Sequence, residues 1–159
     1  MDSFQIFGLQ VLLGFVIYGL IARWYLAPRL ATLPLREALV PLLFLHTFRH
    51  LGLVFQVPTV AGVSLPPSFA RPAAYGDLVA ALLALLSIVA LRGRWRATLS
   101  LVWLFNIWGT LDFANAYYHG YQFKVPLLLG SAWYIPTFLV PALIVTHVMM
   151  FTMLVKHPR

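Results

Sequence analysis

Ala38-Leu39-Val40-Pro41-Leu42-Leu43-Phe44-Leu45-His46-Thr47-Phe48-Arg49-His50-Leu51-Gly52-Leu53-Val54-Phe55-Gln56-Val57 carries three titratable side chains in the middle of an otherwise apolar run. A helix needs about 20 mainly apolar residues to cross a bilayer, and this stretch has that length. Spacings of three and four put His46, Arg49 and His50 on one face of an α-helix. An ionisable group near mid-membrane costs about 2.5 to 3.5 kcal/mol on insertion scales, so it faces protein or water rather than lipid. The stretch therefore predicts a spanning helix whose polar face is covered by neighbouring helices.

Four other stretches supply those neighbours: Phe4 to Ala22, Ala73 to Leu91, Ala97 to Tyr118 and Ala132 to Val155. With Ala38 to Val57 they predict an all-α, polytopic integral membrane bundle of five transmembrane helices forming one domain over residues 1–159. The Ala73 to Leu91 segment is the shortest in apolar content, with an unbroken run only from Leu78, and its outer turn places Asp77 at the headgroups. The first segment begins with Asp2, is full-length and ends at Arg23, so it reads as a retained helix rather than a cleaved secretory leader.

Composition agrees. Hydrophobic residues make up 62% of the 159 and charged residues only 9%, with a mean hydropathy of +0.88. A soluble domain is about one-quarter charged, so the solvent of this chain is largely lipid. Without cysteine there are no disulfides, thiolate chemistry or Cys-ligated metals. The net charge of +7 comes from short clusters at segment ends, where anionic lipid headgroups attract them. No basic stripe with interleaved aromatics suggests nucleic acid as a partner.

Those clusters orient the chain. Arg23, Arg29 and Arg36 follow the first segment, Arg92, Arg94 and Arg96 the third, and Lys156 and Arg159 the fifth. The alternate connections hold only Arg71 and Lys124. Basic residues accumulate on the cytoplasmic side, which predicts an external N-terminus, a cytoplasmic C-terminus and a multi-pass protein of the cell membrane. The longer external connections, Pro58 to Pro72 and Gly120 to Ser131, have a composition suited to capping an opening in the bundle.

The fourth segment carries the complementary polar groups. Trp108, Asp112, Asn115 and His119 share one stripe, and Asn106 lies about 120° from it by helical geometry. Counted at about 1.5 Å per residue from the inner surface, Arg49 lies about 16 Å up and Asp112 about 22 Å up, within side-chain reach. His46, Asn106 and His147 fall near 12, 14 and about 10 Å by the same rise. Two tiers are expected: a ligand-binding tier of His46, Arg49, His50, Trp108, Asp112, Asn115 and His119, and an inner tier of Asn106 and His147, with His46 at its edge. Pro141 leaves the Thr137 carbonyl without its helical partner and predicts a kink. Ala80 and Ala84 offer a small-residue face for close helix contact.

Three function classes fit. The leading expectation is a binding module for a lipophilic small molecule, with a His/Arg/Asp centre in an apolar, aromatic pocket. A proton-coupled small transporter and a structural or accessory subunit of a membrane complex are the alternatives; membrane lipid is a partner in each, and an oligomer fits any of them. His46 and His50 are the candidates for a metal pair, disfavoured because Arg49 between them repels a cation. A b-type haem between His46 and His147 is compatible with the spacing but not required by it. Catalysis is left open. Ser87 and Ser100 lack nearby bases, and no second buried carboxylate is expected beside Asp112 for acid–base work.

Overall fold

A computed structural model describes residues 1–156, so the basic Arg159 of the orientation argument lies outside the described residues. Those residues are helical, with no strand among them. Five long segments follow one another: α1 Ser3–Leu30, α2 Leu35–Gln56, α3 Pro67–Arg92, α4 Thr98–Gln122 and α5 Gly130–Lys156. All but α4 are long and apolar enough to cross a membrane. α4 is 25 residues long, and it falls short in composition because it carries Asn106, Asp112, Asn115 and His119.

The ends and irregularities follow local chemistry. Asp2 caps α1 reciprocally with Gln5: the Gln5 amide donates to Asp2 Oδ1 at 2.8 Å and the Asp2 amide to Gln5 Oε1 at 3.0 Å, satisfying two orphan donors. α1 runs past the expected end at Ala22 through a π-helical turn, Ala22–Leu26, just ahead of Pro28. A second π turn, Ile135–Leu139, precedes Pro141. The π turn stands where a kink is expected, and its wider winding accommodates a proline ring that the α-helical ladder rejects. α3 starts at Pro67, six residues before the expected Ala73, because Pro at the first helical position is preset for the helix.

The core sits between α2, α3, α4 and α5, where Leu39, Leu43, Ala80, Ala84, Val102, Phe105 and Met150 are fully or almost fully buried. Ala80 and Ala84 occupy the close-contact face expected of them. α1 is peripheral. Leu12, Val16 and Ile17 are half exposed, an arrangement that suits lipid. It is fixed to the last segment by Trp133 Nε1 donating to Gln10 Oε1 at 2.6 Å, and by Gly14, where a β-carbon would meet the Pro141 ring and the Thr137 carbonyl.

The connections α2–α3 and α4–α5 pack against each other at one end of the bundle, burying Ala61, Leu65, Val125 and Leu129 with Phe55 and Phe69. Two left-handed glycines allow it. Gly62 (φ 79°) lies against the Leu128 carbonyl, and at Gly130 (φ 51°) a β-carbon would sit 2.8 Å from the Val60 carbonyl oxygen. Any larger residue is strained at such φ and would also separate the two loops.

Candidate functional site

The decisive local feature is a change of helical pitch. α2 is α-helical to Thr47 and then continues as a three-ten helix, Phe48–Gln56. Such runs rarely exceed three or four residues. With three residues per turn the buried stripe becomes His46, Arg49, Gly52 and Phe55. This corrects the expected face: His50 is turned outward and exposed, its Nδ1 paired with the Thr47 carbonyl at 2.8 Å. His46 and His50 therefore do not converge on one metal. Among the described residues no group of three His, Cys, Asp or Glu is placed to hold a metal ion.

Arg49 lies wholly inside the bundle, with no exposed side-chain surface. Its Nη2 donates to Asp112 Oδ2 at 2.6 Å, the contact anticipated from the depths of the two helices. Its Nε donates to Asp77 Oδ1 at 2.7 Å, which sequence reasoning missed by leaving Asp77 at the headgroups. Because α3 begins at Pro67, Asp77 is about 15 Å along it at 1.5 Å per residue. Nη1 reaches the Gly109 carbonyl at 3.3 Å and His147 Nε2 at 3.4 Å, and the Phe113 ring lies 3.9 Å from the guanidinium carbon. A fork of five donors is thus held by three helices and by a π face, which attracts cations.

Three glycines make room for this cluster. A β-carbon at Gly52 would collide with the Asp77 carboxylate and one at Gly76 with the Asp112 carboxylate; one at Gly109 would fall 2.6 Å from His147 Nε2 and 2.8 Å from Arg49 Nη1.

The inner tier is present. His147 Nδ1 pairs with Asn106 Oδ1, and Asn106 Nδ2 donates to the His147 carbonyl at 3.4 Å. Guanidinium Nη1 can only donate, so His147 Nε2 accepts and Nδ1 carries the proton given to Asn106. His46 Nε2 lies 3.0 Å from Thr146 Oγ1, a hydroxyl that donates to carbonyls of its own helix. His46 is therefore the donor, which leaves its buried Nδ1 without a partner. The His46 and His147 rings pack at 4.2 Å between centroids, so no macrocycle fits between them as the haem reading requires.

Three further candidates lie apart from this centre. Trp108 is exposed, with Nε1 3.4 Å from the Gly76 carbonyl. Asn115 is exposed. His119 stacks on Phe123 at 6.0 Å. Ser87 Oγ donates to the Leu83 carbonyl within its own helix, so it is no free nucleophile.

Asp77 and Asp112 are also among the residues lining a cavity of about 210 Å³, almost wholly apolar, whose walls include Phe4, Phe7, Phe55, Phe69 and Phe113. It runs down α3 past Phe69, Ala73 and Asp77, and down α4 past Tyr121, Tyr117 and Asp112. Asp77 and Asp112 are thus its furthest lining positions along their helices from the α4–α5 connection, whose Val125, Pro126 and Leu129 line its other end.

A family model described as "Domain of unknown function (DUF8737)" matches residues 6–155. The chain belongs to this family. No curated protein matches it, and no solved structure does. The matched DUF8737 region contains Arg49, Asp77, Asp112 and His147, the glycines that admit them and both of the connections that pack against each other.

Proposed function

We propose that the chain crosses the cell membrane five times, N-terminus outside and C-terminus in the cytoplasm, and binds a lipophilic small molecule within the bundle. The observation that carries this reading is the aromatic cavity of about 210 Å³ with Asp77 and Asp112 among its lining residues. Ligand sites are largely apolar hollows in which a few polar groups fix orientation, and this hollow has that character. α4 serves as the fifth span: its 25 residues reach about 38 Å at 1.5 Å per residue, and its polar side chains Asn106 and Asp112 are held by His147 and Arg49 rather than offered to lipid.

Two experiments test the proposal. Protein extracted in mild detergent is expected to carry a stoichiometric small molecule, detectable by mass spectrometry of the denatured sample. Ala116→Trp, which fills the cavity from the α4 side, is expected to lose it. Equal content in the two proteins would remove the cavity from the account. For topology, a reporter fused after Arg159 is expected in the cytoplasm and one inserted near Ser64 outside. A C-terminus on the same side as Ser64 would defeat both the count of five and the orientation.

A further inference from the structure

We propose that the occupant of this cavity is a lipophilic amine bound as its ammonium, with the positive charge against Asp77 and Asp112 and the apolar body among the phenylalanines. The proposal rests on the ligand-binding reading above and adds the ligand's chemical class.

The argument begins with charge. Arg49 is one fixed cation, and it faces two carboxylates, at 2.7 and 2.6 Å. With both acids ionised, the buried centre holds one negative charge in excess. His147 does not supply the missing positive charge, because its Nε2 accepts from the guanidinium. His46 lies behind it, engaged with Thr146. Among the described residues no other cationic side chain pairs with either acid. A bare charge in a low-dielectric interior is costly, so the excess is relieved by a proton on one carboxylate or by a cation arriving from the cavity, and an ammonium ligand takes the second course.

The hydrogen-bond inventory points the same way. Arg49 satisfies one oxygen of each carboxylate, and no further donor reaches either group among the described residues. An ammonium offers three donors, and the surrounding phenyl rings attract a cation through their π faces. A neutral alcohol of the same shape supplies one donor and no charge. A carboxylate is repelled.

The test uses full-length protein in phosphatidylcholine nanodiscs and three probes with one rigid apolar body: aminoadamantane, adamantanol and adamantanecarboxylate. Binding is measured by equilibrium dialysis, with Ala116→Trp protein as the blank for partition into lipid. We expect the amine to bind about tenfold more tightly than the alcohol, as charge-assisted hydrogen bonds exceed neutral ones, and the acid not to bind saturably. Asp112→Asn should bring amine and alcohol to parity while keeping alcohol binding, and Asp77→Asn should act in the same direction. If either variant fails to fold, the order of the probes on the wild-type protein decides alone. An alcohol bound as tightly as the amine, or a preference for the acid, would overturn the amine assignment while leaving an apolar ligand site standing. Saturable binding of none of the three would overturn the site itself and the amine with it.

Discussion

Leucine at both Asp77 and Asp112 is expected to be the most destabilising change in the polar centre, since breaking a buried pair by removing one side costs about 3 to 5 kcal/mol in soluble proteins. The double change strands Arg49, which has no neutral form available and whose side chain has no contact with water. Arg49→Leu should cost less, because the two carboxylates it abandons can each take up a proton. Asp112→Leu alone should be milder again, since Arg49 keeps Asp77 at 2.7 Å. Changing all three to leucine should recover much of the loss, as apolar replacement of a complete buried cluster often does. Unfolding of the five proteins by heat or denaturant in one detergent gives the order directly. Arg49→Leu falling below the double aspartate change would contradict the account of Arg49 as the group that most needs its partners.

The next largest effect is expected at residues that have no side chain. Gly76→Val drives a β-carbon into the Asp112 carboxylate, and Gly52→Val does the same at Asp77. Overpacking a core commonly costs about 1 to 3 kcal/mol. Here the displaced atoms belong to a guanidinium–carboxylate cluster, so the loss should reach or exceed the top of that range and abolish folded protein in a marginal background. Gly8 and Gly19 on α1 have nothing within 4 Å of a β-carbon. Alanine there should be neutral or stabilising by about 0.5 to 1 kcal/mol, the helical advantage of alanine over glycine. Yield of monodisperse protein and thermal midpoint separate the two sets. Equal tolerance at Gly76 and Gly8 would mean that the carboxylates are not seated as described.

The sequence made the helical segments legible because lipid imposes length and apolarity on every span, and those two properties survive without knowledge of packing. It revealed the Arg49–Asp112 contact as well, because depth along a helix can be counted from its ends. What it concealed has two sources. The apolar run places Asp77 at the headgroups because Phe69 to Ala74 contains Arg71 and Pro72, which interrupt that run although they do not interrupt α3. The spacing puts His50 in the centre because four residues signify one face only at 3.6 residues per turn, and nothing in Phe48 to Gln56 announces a tighter winding. Trp108 and Asn115 share a stripe with Asp112 on the helical wheel. α4 points Asp112 towards Arg49 while presenting the flanks of that stripe outward.

The tighter winding also changes how far a short segment extends. α2 has 22 residues and its principal neighbour α3 has 26. As α-helices they would measure about 33 and 39 Å, a mismatch of more than one turn. A three-ten helix rises about 2.0 Å per residue. Nine residues wound that way lengthen α2 to about 38 Å, close to the length of α3. A segment four residues shorter thus reaches nearly the same length, and the one connection from Val57 to Pro66 joins two helices matched in extent.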